Sequence, residues 1–257
     1  MIDLHSHSAA SDGEFPPAEL LRRAASLRIH TLALTDHDTV AGLDEAEAAG
    51  RALGVEVIPG IEFSAFVEGH ETHLLGHFVD WHNPALEGFG EHLRQERERR
   101  MHRMLERLEA LGMPCAFEDV VRASGGKNLG RPHLGLVMIQ KGYVRTVREA
   151  FDLWLGKGCP AHVERYKLTS QEAIDLVRGA GGTTTVAHAH ASGLSDDELR
   201  LLKRQGICGL EVTHPDHDEA SREHLRRLAA ELDLVPTAGS DYHGTKVADP
   251  YRWLEDL

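Results

Sequence analysis

The sequence predicts an α/β barrel with a helical insertion, and three observations carry that reading. Short apolar runs alternate with helical patterns through most of the 257 residues. The alternation breaks over residues 83–155, where only helical patterns occur. His, Asp and Glu recur at or just beyond the C-terminal ends of the strand-like runs, which is where a parallel barrel gathers its active site. About seven strand-like runs favour a closed parallel barrel over an open sheet. On this reading residues 1–82 and 156–257 form the barrel, and 83–155 form a helical insertion subdomain.

Residues 2–4 read as the first strand. Residues 17–27 read as a helix, with Pro16 and Pro17 at its start. A strand over 31–35 follows, then a helix over 39–53 with Asp38 as its cap, then a third strand over 55–59. Residues 62–67 and 71–79, joined at Gly69, read as an extended or hairpin pair. The insertion opens with a long polar helix over 86–112. Its arginines, Arg94, Arg97, Arg99, Arg100, Arg103 and Arg107, are interleaved with Glu96, Glu98, Glu106 and Glu109, as on a solvated face. Strands over 183–187, 208–212 and 234–238 then alternate with helices over 196–205 and 219–232.

Composition narrows the function classes. A formal net charge of -13 disfavours sequence-blind nucleic-acid binding, which needs a basic footprint. It leaves room for a phosphorylated substrate, because bound cations invert the local charge. No run approaches the roughly 20 apolar residues that span a bilayer, so no membrane partner is expected. The N-terminus lacks the basic and apolar regions of a secretory signal. Cys115, Cys159 and Cys208 are too scattered for a disulfide framework, and a cytoplasmic location is expected.

The 18 histidines are the unusual number, and their positions give it meaning. His5 and His7 end the first strand and share one face, two residues apart. Asp12 follows in the next loop. His37 ends the second strand between Asp36 and Asp38, Glu62 follows the third, and His73 lies in the pair after it. His188 ends the strand over 183–187, and Asp241 and His243 follow the last one. Imidazoles mixed with carboxylates suit Zn, Mn or Fe. Nine candidate ligands exceed the four of one tetrahedral zinc and suit two or three divalent ions, with Glu62 able to bridge.

The segments Asp3-Leu4-His5-Ser6-His7-Ser8, Ser11-Asp12-Gly13, Thr35-Asp36-His37-Asp38, Pro59-Gly60-Ile61-Glu62, Ala187-His188 and Gly239-Ser240-Asp241-Tyr242-His243 resemble the ordered motifs of the polymerase and histidinol phosphatase (PHP) family. The resemblance implies a distorted, TIM-like (β/α)7 barrel. It also implies three ligand sets: His5, His7, Glu62 and Asp241; Glu62, His73 and His188; Asp12, His37 and His243. The chain is most similar to the branch acting on small nucleotides and nucleoside 3',5'-bisphosphates, through Gly130-Arg131-Pro132-His133 and the Glu211 to His217 element. Pro132 suits a helix first turn, placing Arg131 and His133 at a helix N-terminus fit for phosphate. The resemblance marks Arg131, His133 and His217 as catalytic and substrate-binding. His188-Ala189-His190-Ala191 departs from the family's His-Pro-Gly, and His190 is open to a substrate contact, a supporting role behind the ligands or a place in solvent.

The expected reaction is phosphate-monoester hydrolysis by a metal-activated hydroxide. The substrate is expected to be a small nucleotide. Weighed against it are a 5'-to-3' exonuclease acting on short RNA 5' ends, a histidinol-phosphate-type phosphatase, an amidohydrolase, and a non-enzymatic metal-binding domain.

Overall fold

The computed structural model describes residues 1–125 and 129–244. The chain packs as two compact units, one of Met1–Gly88 with the chain from Lys167 onward, the other of Phe89–Tyr166. The expected barrel segment runs on to 257, and its residues 245–257 lie outside the described residues.

In the first unit, β1 (Ile2–Asp3), α1 (Pro17–Ser26), β2 (Thr31–Leu34), α2 (Leu43–Leu53), β3 (Glu56–Val67) and β4 (His70–His77) lead out of the N-terminus. In the second unit, α3 (Pro84–Ala110), whose first turn belongs to the first unit, is followed by α4 (Phe117–Ser124), α5 (Arg131–Gln140), α6 (Val147–Ala150) and a π-helical turn, Phe151–Leu155. The first unit resumes with β5 (Leu168–Thr169), α7 (Ser170–Gly179), β6 (Thr183–Val186), α8 (Asp196–Gln205), β7 (Gly209–Thr213), α9 (Glu219–Glu231) and β8 (Val235–Ala238).

The eight strands form one sheet in the order β1-β2-β3-β4-β6-β7-β8, with β5 paired to β3. The sheet nearly closes. Leu4 N donates to Ala238 O at 3.1 Å, Asp241 N to His5 O at 2.9 Å, and His7 N to Tyr242 O at 2.9 Å, joining the two outer strands. This is the mixed α/β barrel the sequence predicts, with one correction to a parallel sheet. β4 runs antiparallel to both β3 and β6, because it returns through the tight turn at Gly69 (φ 89°) and not through a helix.

Local chemistry explains the helices. α1 begins on Pro17, carries Glu19 in its first turn and buries Leu20, Leu21 and Ala24 against β2 residues. α7 and α8 open with capping boxes, Thr169 with Glu172 and Ser195 with Glu198. α2 starts later than its pattern suggests. Asp38 does not cap it; the residue takes φ 56° and its N–H donates to Glu62 O at 2.8 Å. The third strand also differs. Pro59 and Gly60 read as a stop, yet β3 runs through them to Val67, so Glu62 lies inside the strand. Gly60 permits this because a Cβ there would meet Gly76 O at 2.8 Å; the glycine serves close strand approach, not a break.

The helical unit has its own core of Met101, Met104, Leu105, Leu108, Leu134, Val137 and Met138. Arg94 pairs with Glu91 and Glu98, and Arg99 with Glu96, as expected of a solvated face. Arg100 and Arg107 instead donate to the backbone carbonyls of Val163 and His162. Among the described residues, no helix is long and apolar enough to cross a membrane.

Candidate metal centre

The strand ends deliver nine ionisable side chains to one mouth of the barrel. His5 and His7 leave β1 fully buried. The loop carrying Asp12 is fixed by Asp36, which accepts from Ser8 N at 2.8 Å, Ser8 Oγ at 2.7 Å and Ser11 Oγ at 2.6 Å. His37 bridges its backbone to Glu62 across β2 and β3. His73 projects from β4, opposite Ser64. His188, Asp241 and His243 follow β6 and β8. His188 and Asp241 hold φ of 27° and 51°, a backbone strained for residues with side chains.

Glu62 is the hub. Its Oε2 lies 3.4 Å from His5 Nε2, 3.1 Å from His7 Nε2 and 3.1 Å from His37 Nδ1. Its Oε1 lies 2.8 Å from His73 Nδ1 and 3.5 Å from His188 Nε2. Asp241 Oδ1 sits 3.3 Å from His5 Nε2 and 3.1 Å from His7 Nε2. At the rim, Asp12 Oδ1 lies 3.2 Å from His243 Nε2, and Asp12 Oδ2 lies 3.9 Å from His37 Nε2. Three groups have ligand atoms mutually within 4.8 Å: His5, His7, Glu62 and Asp241; His7, Asp12, His37 and His243; His37, Glu62 and His73.

The electrostatics favour cations. Burial opposes charge on every member, yet the carboxylates outweigh it. His5 is held well above its ordinary pKa, burial notwithstanding, by Glu211, Glu62 and Asp241. His7 is raised to about 9, against burial, by Asp241 and Glu62. Asp12 is lowered to about 2, against burial, by His243 and His37. His37 goes the other way, to about 4, because burial prevails over Glu62. Glu62 and Asp241 lie well below the usual carboxylate range despite burial, chiefly through His5.

The donors also fit divalent ions. His5 Nε2, both ring nitrogens of His7, His37 Nδ1 and both Glu62 oxygens are buried without a directional hydrogen bond. Buried polar atoms left this way need another partner. The far sides of the rings are held as metal-binding histidines require. His5 Nδ1 contacts Glu211 at 3.2 Å, and His243 Nδ1 donates to Asp241 O at 2.8 Å.

The close approach at β8 depends on Gly239. A Cβ there would sit 2.2 Å from His5 Cβ and 2.4 Å from Glu211 Oε1. Gly239→Ala is therefore expected to cost roughly 2–3 kcal/mol by overpacking and to displace His5. Urea unfolding of the metal-free protein measures it, and a loss below about 0.5 kcal/mol would show that the seam yields freely.

The structure brings together all nine ligand candidates of the sequence reading. The third group includes His37 where the resemblance implies His188, which contacts the same Glu62 oxygen as His73. Arg131 and His133 lie at the N-terminus of α5 in the helical unit. There Arg131 donates to Leu155 O at 3.2 Å and stacks over Phe151, and His133 Nδ1 accepts from Gly130 N at 3.1 Å. His217 is buried beside exposed His190, ring centroids 6.1 Å apart. Two residues escaped the sequence reading as site members, Glu211 and His214. Glu211 is fully buried under His5 and accepts from His188 N at 2.8 Å. His214 follows β7, 3.6 Å from Asp241 Oδ2. Strict alternation puts Glu211 and His214 on opposite faces. A bulge between Glu211 and Thr213 turns both inward, and only the register against β8 reveals it.

A family model described as PHP domain matches residues 3–147. A 5'-3' exoribonuclease of Haemophilus influenzae is 34% identical over 98% of this chain and 92% of its own length. A 3',5'-nucleoside bisphosphate phosphatase of Chromobacterium violaceum is 33% identical over 94% of this chain and 87% of its own. A crystal structure of a presumed metal-dependent phosphoesterase from Bifidobacterium adolescentis superposes with a TM-score of 0.73 at 33% identity, covering 96% of this chain and 89% of that one.

Proposed function

The chain belongs to the PHP domain family, and from that membership we propose a metal-dependent phosphoesterase that hydrolyses phosphate monoesters of small nucleotides, nucleoside 3',5'-bisphosphates foremost. The observation that carries the reading is the buried Glu62 carboxylate, with five imidazoles within 3.5 Å and no directional hydrogen bond on either oxygen. No apolar or purely structural cluster needs that arrangement.

Two or three divalent ions, manganese, iron or zinc, would be held by His5, His7, Glu62 and Asp241; by Glu62, His73 and His188; and by Asp12, His37 and His243. A metal bound there would supply Lewis-acid chemistry, making a bound water more acidic and offsetting phosphoryl charge. Glu211 holds the His5 ring from behind. His133 is a substrate donor, because its Nδ1 accepts from Gly130 and the proton must sit on Nε2. Arg131, its neighbour at the start of the same insertion helix, offers a planar fork to a phosphate. His217 spends its Nδ1–H on Val212 O at 3.0 Å, leaving a buried Nε2 lone pair to accept from a substrate hydroxyl, with exposed His190 alongside. The three free cysteines suit a reducing compartment such as the cytoplasm.

A second reading, 5'-to-3' cleavage of short RNA, rests on the exoribonuclease of Haemophilus influenzae, which matches as much of the chain. One assay separates the two. The manganese-loaded protein is given adenosine 3',5'-bisphosphate, AMP, histidinol phosphate and a short 5'-phosphorylated RNA. Preferred release of the bisphosphate's 3'-phosphate is expected. Stepwise nucleotide release from the RNA as the fastest reaction would install the second reading, and silence on all four with metal bound would overturn the substrate class.

A further inference from the structure

The histidines at the barrel mouth sort by what holds the ring nitrogen facing away from the centre. An acceptor behind the ring fixes a proton there and turns a lone pair forward; a donor behind it does the reverse. His5 and His243 are of the first kind, backed by the Glu211 carboxylate and the Asp241 carbonyl. His214 is of the second kind. Its Nδ1 accepts from the backbone N–H of Asp216 at 3.1 Å, so the proton of the neutral ring sits on Nε2.

That Nε2–H faces the Asp241 carboxylate in a loose ion-pair contact and not in a full hydrogen bond. The residue is 2% exposed, and Nε2 is buried without a hydrogen bond. Asp241 Oδ2 is the nearest carboxylate oxygen, at 3.6 Å, beyond hydrogen-bond reach. The ring stands 5.2 Å from that of His188 and 6.3 Å from that of His5, so it borders the proposed metal sets. A ligand role is closed to it, because coordination through Nε2 would need the proton on Nδ1, where Asp216 N already donates. The backbone that carries the ring is held by Arg222, which donates to the His214 carbonyl at 3.3 Å, just beyond the β7 bulge.

We infer that His214 is a substrate-contacting residue whose Nε2–H donates a hydrogen bond to an oxygen of the phosphoryl group held at the centre. The inference rests on the phosphoesterase reading of that site. A buried donor left unmade is costly, and a charged phosphate oxygen is the partner that best satisfies it.

The test compares His214→Phe, which keeps the shape and removes the donor, with His214→Gln, which restores an N–H at similar reach. The probe is inorganic phosphate, titrated calorimetrically into manganese-loaded protein, with bound manganese measured separately. His214→Phe is expected to retain the wild-type manganese content and to bind phosphate roughly tenfold to a hundredfold more weakly. His214→Gln is expected to recover most of that loss. Unchanged phosphate affinity in His214→Phe would overturn the inference. Loss of manganese in both variants would also overturn it, by showing that the ring serves Asp241 or a metal. Should His214→Phe fail to fold, nitrogen-15 spectra of the wild-type imidazoles decide, with a proton on His214 Nδ1 the overturning result. A wild-type protein that binds phosphate but hydrolyses no phosphoester would defeat the functional reading and leave the donor assignment standing.

Discussion

Replacing Glu62 by glutamine is expected to lower kcat/KM by roughly a thousandfold or more, at the upper end of what losing one principal charge-stabilising group costs. Glutamine nearly matches the shape of glutamate, so the core of β3 stays packed. What disappears is the negative charge that five histidines face. Both oxygens are engaged on different sides, so the loss reaches two ligand sets together. Metal analysis of the purified variant should show a lower content, while the far-ultraviolet circular dichroism stays that of the wild type. Glu62→Gln with full metal content and activity within tenfold of the wild type would remove Glu62 from the centre.

Metal removal should have the next largest effect, on stability. Saturating manganese, at a hundred times its dissociation constant, stabilises the folded state by about 2.7 kcal/mol. At roughly 2–4 °C per kcal/mol for a chain of this size, the melting temperature should rise by about 5–10 °C over the chelated protein. The shift should also grow with pH. In the metal-free protein His7 is raised from 6.5 to about 9, against burial, by its carboxylate neighbours. Its protonated form contributes stability that is fully present below pH 6.5 and is lost as pH rises through about 9. A divalent ion replaces that proton, so the gain from manganese is larger at pH 8.5 than at pH 6.5. Equal melting temperatures with and without chelator would contradict a metal site at Glu62.

The nine candidate positions are legible in the sequence because a barrel makes them so. Every one follows or lies in a strand, and strands are short apolar runs that a sequence displays. The hairpin of β3 and β4 was legible for the same reason. Glu62 reads from the sequence as following a strand, since Pro59-Gly60 looks like punctuation, yet it lies inside β3, as only tertiary contact shows. The cap assigned to Asp38 failed because that residue is committed to the β2–β3 junction. β5 could not be read: two residues carry no periodicity. His214 was hidden by a bulge, a one-residue irregularity that reverses facing and leaves no mark in composition.

The seam between the first and last strands has a consequence for the protein's synthesis. His5 and His7 leave the ribosome more than 230 positions ahead of Asp241, whose amide closes the barrel onto the His5 carbonyl. Pairing over 236 positions is the slowest kind a chain can make. Until Asp241 is made, the early histidines lack the carboxylate that lies 3.3 Å from His5 and 3.1 Å from His7 in the folded chain. A product truncated just before Asp241 would keep β8 but lack both that carboxylate and the amide that pairs with the His5 carbonyl.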